Sequence, residues 1–191
     1  MDGFKKNNPN LWEEKYRLAT DRLLSSTFFL VSARRCHKNE NKLLAAIGYY
    51  YSMFHLSKAL LFLLPQYSID NILGITHKKA FNLIQTNFVQ RKILSRKFGI
   101  MFDYFRQIRE AANYKMGSWT SLSKTLRDEE CELLSCIEEG IHIFKEICSD
   151  EISHIMAIIG DGIGDDWMDS YLSEEEAQEA VDFFLKHNLT T

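Results

Sequence analysis

Proline is almost missing from this chain, with two among 191 residues, at positions 9 and 65. Backbone N–H groups are therefore available nearly everywhere, and helix-breaking rings are confined to the first third. Cysteine is sparse. Cys36, Cys131, Cys136 and Cys148 show neither the short paired spacing of a zinc site nor the density of a secreted disulfide scaffold. They read as reduced, mostly packed thiols. No apolar run approaches the roughly 20 residues a bilayer span needs, and the strongest, Ala59 to Leu64, stops at Pro65. Behind Met1-Asp2-Gly3-Phe4-Lys5-Lys6 there is no apolar segment of the signal-peptide type. Walker, GxSxG, HExxH and Rossmann patterns are all missing. The Asp161–Asp166 turn lacks the ligand spacing of a calcium loop. The expectation is a cytoplasmic protein with no membrane segment, no metal and no cofactor.

Acidic residues are scarce too, but only in the first two-thirds. Residues 1–127 carry 21 Lys and Arg against 8 Asp and Glu, while residues 128–191 carry 2 against 18. The formal net charge of -3 conceals this split. Such polarity suggests a basic working surface with an acidic end that either covers it or faces elsewhere.

What is abundant is apolar residues at three- and four-residue spacing, with no sustained alternation of the β type. The spacing predicts helices over about 11–33, 41–64, 77–90, 95–116 and 122–147. The second is apolar nearly all round, as befits a central helix. In the first, Leu11, Tyr16, Leu18, Leu24, Phe28 and Val31 are available for burial. Thr76 is a good N-cap for the third, which should bury Phe81, Ile84 and Phe88. In the fourth, Phe98, Met101, Phe105, Ile108 and Ala112 form the core stripe, with Arg106, Arg109 and Asn113 beside it. The fold class is all-α: an antiparallel four- to five-helix bundle over 1–150. An acidic helical extension over 151–191, opened by the capping-box pattern Ser173-Glu174-Glu175-Glu176, is expected to pack on the same domain.

Three places carry chemistry. Arg109 and Asn113 lie one helical turn apart and can address one ligand together. Arginine at the border of a buried face is costly unless it meets a carboxylate or phosphate. The Thr76-His77-Lys78-Lys79 step puts cations in a first helical turn, where the macrodipole prefers anions, so it suggests either a phosphate site or a solvated basic turn. In the run Tyr49-Tyr50-Tyr51-Ser52-Met53-Phe54-His55, the aromatics read as core more readily than as a stacking platform. His55 reads as a satisfied histidine more readily than as a base.

The Tyr50-Tyr51-Ser52-Met53-Phe54-His55-Leu56-Ser57-Lys58-Ala59-Leu60-Leu61 run, the Thr-His-Lys step and Arg109-Glu110-Ala111-Ala112-Asn113-Tyr114, in this order over about 11–147, resemble the HEPN superfamily of small helical domains. The resemblance implies a homodimer with the fourth-helix arginines facing a shared cleft. It also implies RNA, a nucleotide or a protein such as a minimal nucleotidyltransferase as partner, in a prokaryotic toxin–antitoxin or phage-defence module. The histidine that HEPN RNases place four to six residues after the arginine is absent, and Asn113 stands where relatives have an acid. Tyr114, near the missing histidine, is a poor base at pH 7. Binding through Arg106, Arg109, Asn113, His77 and Lys78 is therefore the leading expectation. The alternatives are a metal-independent RNase using Arg109, a base borrowed from His77 or His55 and help from Tyr114, or a purely structural subunit.

Overall fold

The computed structural model describes residues 2–114 and 126–148, together with Glu179 and Asp182, with side chains over 3–112 and 129–148 and at those two acids. All regular structure among them is helical. Helices α1 (Asp2–Asn7), α2 (Pro9–Lys38), α3 (Lys42–Phe62), α4 (Ile69–Leu73) and α5 (His77–Ile84) follow in order. A π turn spans Gln85–Val89, and α6 (Arg96–Tyr114) and α7 (Leu126–Ile147) complete the described chain. No helix of the described residues is long and apolar enough to cross a membrane.

Local chemistry sets the boundaries. Pro9 opens α2, where its missing N–H costs nothing. The α2–α3 turn passes through Glu40 at a left-handed φ of 60°, and the Asn41 side chain then caps α3 by accepting from Leu44 N at 3.3 Å. Thr76 caps α5 as expected, accepting from Lys79 N. The third predicted helix does not run on as α to Gln90. The Asn87 side chain takes the Leu83 carbonyl at 2.9 Å, four residues back, and the ladder widens into the π turn. Buried Asn87 also donates to Tyr67 Oη at 2.9 Å and accepts from Gln66 Nε2 at 3.2 Å.

α3 is central, packing against α2, α4, α5, α6 and α7. It runs antiparallel to α2, as the pairs Lys15–Leu64, Ser26–Ser52 and His37–Tyr49 show. Close approach is allowed by Gly48, where a Cβ would lie 2.8 Å from that of Ala33. α6 and α7 are antiparallel to each other, tied at one end by Ser95, whose backbone N and Oγ donate to the Glu139 carboxylate at 2.6 and 2.8 Å. The core stripe of α6 is buried at Phe98, Met101, Phe105 and Ile108, while Ala112 is half-buried. Each such aromatic contributes on the order of 2–3 kcal/mol of apolar burial. In α2 the stripe is shifted. Tyr16, Phe28 and Val31 are buried and Leu18 and Leu24 partly so, but Leu11 is exposed and Trp12 takes the inward position.

Lysines close three helix ends. Lys5 Nζ donates to the Ile147 carbonyl at 3.0 Å, Lys15 Nζ to Leu64 at 2.6 Å and Lys58 Nζ to Leu73 at 3.1 Å. The first and third take carbonyls at the C-terminal ends of α7 and α4, and the second a carbonyl just past α3 that also accepts from Tyr67 N at 3.4 Å; all three place a cation near the negative end of a helix dipole. Part of the basic excess before residue 127 is thus internal. Cys136 and Cys148 are buried and Cys131 is exposed, and all four cysteines are free. Burial pushes the Cys136 thiol up to about 12.

Candidate anion-binding site

α3, α5 and α6 bring Arg109, His77 and Tyr50 together. Tyr50 is fully buried, and its phenol lies 2.5 Å from His77 Nδ1. The Arg109 guanidinium carbon sits 5.7 Å from the Tyr50 ring centroid. Arg109 Nε is buried with no hydrogen-bond partner, and among the described residues no carboxylate pairs with this guanidinium.

The hydrogen bond fixes the tautomer of the histidine. Burial pushes the Tyr50 phenol up, and the nearby Arg109 charge only partly opposes this, so the O–H is retained at neutral pH. His77 Nδ1 is its hydrogen-bond partner among the described residues, and a buried O–H left without an acceptor would cost about 1–3 kcal/mol. Tyr50 therefore donates and Nδ1 accepts. Burial lowers the His77 pKa, and the Arg109 and Lys58 charges lower it further against Glu110. The neutral ring must then carry its proton on Nε2, where it is a donor. Arg109 and His77 together are two donors awaiting an acceptor. Exposed Lys78 and Lys79 continue the positive field along the first turn of α5.

The other predicted residues fall differently. Arg106 is engaged on its own helix, 2.6 Å from both Asp103 and Glu110, and its guanidinium lies 5.7 Å from the Phe81 ring centroid. Asn113 and Tyr114 end α6, and their side chains lie outside the described residues. His55 stacks on Phe29 with 5.2 Å between centroids. Burial, with Arg22, Lys58 and His77 adding, lowers its pKa to about 3, so it is a weak base. Of the tyrosine run, Tyr49 and Tyr50 are core, as expected, whereas Tyr51 is only partly buried and lies against Phe29 and His77.

Sequence reasoning missed the Tyr50 hydroxyl as a positioning group and missed a second cluster altogether. Tyr49 Oη lies 3.2 Å from His37 Nδ1, and the same Nδ1 is 3.3 Å from Glu130 of α7. Arg34 approaches Glu130 at 3.5 Å. Beside this cluster Arg35 meets Glu179 at 3.4 Å, so a residue of the acidic end reaches α2. The tyrosine–histidine separations of 12 and 27 residues match no helical repeat, so the sequence carried no signal for either pair. Among the described residues no group of three or more His, Cys, Asp or Glu is placed to hold a metal.

No family model matches the chain, and neither a curated protein nor a solved structure shows significant similarity to it.

Proposed function

We propose that this is an HEPN-like protein that binds single-stranded RNA by its phosphates and lacks a self-sufficient nuclease centre. The observation that carries this reading is the Tyr50–His77 hydrogen bond beside an Arg109 whose Nε has no partner. A histidine that presents Nε2–H to the ligand donates to a phosphate oxygen and cannot accept the 2′-hydroxyl proton. Arg109 supplies charge and a planar fork suited to the same phosphate. The α5 first turn adds exposed lysines and unpaired backbone N–H groups. On this reading the resemblance supplies the setting, a toxin–antitoxin or phage-defence module acting as a homodimer or beside a nucleotidyltransferase.

The test is fluorescence anisotropy with labelled single-stranded RNA in chelator. Wild type should bind with strong salt dependence, Arg109→Ala should weaken binding about tenfold or more, and the RNA should stay intact. Unchanged affinity in Arg109→Ala would sink the phosphate assignment. Metal-free cleavage lost in Arg109→Ala would return the site to the nuclease class.

A further inference from the structure

Beyond the phosphate site, the outer surface of α2 and α3 carries an aromatic arrangement that the core does not require. Phe29 keeps 37% of its surface in solvent. Its ring lies nearly parallel to that of His55, 5.2 Å apart at 8°, and 5.3 Å from Tyr51 at 28°. His55 Nδ1 and Arg22 Nε are buried without partners. The charges acting on His55 are those of Arg22, Lys58 and His77, and Arg22 also acts on Lys58. No carboxylate contributes at either group. The patch is thus aromatic and cationic at once. It is also continuous with the anion site, because the Tyr51 ring stands 6.0 Å from His77 and 5.3 Å from Phe29.

We propose that Phe29, His55 and Tyr51 form a stacking platform for one base of a single-stranded RNA whose adjoining phosphate is held by Arg109 and His77. The proposal rests on the reading of Arg109 and His77 as a phosphate site. Three physical points support it. A nucleobase is a flat π-system that any aromatic face can take, whatever its identity. A His55 held neutral stacks without bringing an uncompensated charge under the base. Arg22, partly buried beside the platform with its Nε unpartnered, favours the anionic backbone of a nucleic acid and disfavours a basic protein surface as occupant. The platform and the phosphate site share Tyr51 as their boundary, so one nucleotide can bridge them.

The experiment compares a short oligoadenylate with an abasic phosphodiester of equal length and charge, titrated against wild type, Phe29→Ala, Phe29→Trp and Arg109→Ala. Wild type should bind the oligoadenylate about tenfold more tightly than the abasic strand. Phe29→Ala should bind both strands at the abasic level, and Phe29→Trp should keep the preference. Arg109→Ala should weaken both strands alike. Equal wild-type affinity for the two strands, with both weakened by Arg109→Ala, overturns the platform and leaves the phosphate reading standing. A base preference that Phe29→Ala removes, with both strands indifferent to Arg109→Ala, supports the platform and overturns the phosphate reading. Light scattering on the same proteins supplies one more outcome. A wild-type dimer that Phe29→Ala dissociates, with no base preference, assigns the patch to a second copy of the chain and overturns the proposal.

Discussion

Tyr49 and Tyr50 are neighbours on α3, both fully buried and both hydrogen-bonded to the Nδ1 of a histidine, yet their surroundings are opposite in charge. The Tyr49–His37 pair ends on a carboxylate, Glu130, with Arg34 beside it. The Tyr50–His77 pair ends on a guanidinium, Arg109, with no acid on it. One helical step of about 100° separates the two directions. The first cluster is paired in charge, since Glu130 faces both His37 and Arg34 and ties α2, α3 and α7 together, with Arg34 Nε in an ion pair at 3.5 Å that is not a hydrogen bond. The second is open, with donors in excess. Buried ionic groups that are mutually paired speak of architecture, whereas cations left unmatched speak of a ligand.

Acid should separate the two regions most strongly. His55, near the open site, takes up a proton in the unfolded chain near pH 6.5 but only near pH 3 when folded. The unfolded state binds more protons in that window, so stability rises with pH across it and falls on acidification. Denaturant titrations at pH 7 and pH 4 should differ by roughly 3 kcal/mol from this group, and His55→Gln should remove the larger part of the slope. A flat profile would mean that His55 is solvated. Next in size is RNA affinity. Arg109→Ala should cost about 2 kcal/mol of binding, while Glu130→Gln costs none. Loss of binding in Glu130→Gln would erase the distinction between the two clusters.

Glu130→Gln acts instead on folding. It should lower stability by about 1–2 kcal/mol in chemical denaturation, because it removes the charge facing His37 and Arg34. The smallest effect belongs to Tyr50→Phe, about 1 kcal/mol of stability. Its value is qualitative, since the lost donor frees His77 to place its proton on either nitrogen. Nitrogen-15 spectra should show Nε2–H in the wild type and a tautomer mixture in the variant. A wild-type spectrum with the proton on Nδ1 would restore His77 as a candidate base.

The fold was legible because it depends on periodicity. Phe98, Met101, Phe105 and Ile108 repeat at helical spacing, and Thr76 and Asn41 announce helix starts by residue type alone. The π turn was not legible, since it depends on a buried Asn87 whose partners Gln66 and Tyr67 come from the segment before α4. Arg109 and His77 stood out as violations of local rules. Their joining through Tyr50 did not, because a tyrosine in an apolar run gives no sign of where its hydroxyl points. Arg106 looked like Arg109 on the helical wheel. Asp103 and Glu110, three residues before it and four after, engage the guanidinium, a pairing that was in view in the sequence and went unweighed.

The Lys5–Ile147 hydrogen bond joins residues 142 positions apart. On the ribosome, Lys5 is made well before the carbonyl it caps, which belongs to α7, the last of the helices among the described residues. Lys5 must therefore wait, its ammonium hydrated, until α7 has emerged. α2 and α3 can pair long before that, since Ser26 and Ser52 are only 26 residues apart. Synthesis would thus build the α2–α3 hairpin before α1 is tied to α7. A nascent chain stalled before residue 147 should display α1 to a protease, and a finished one should protect it.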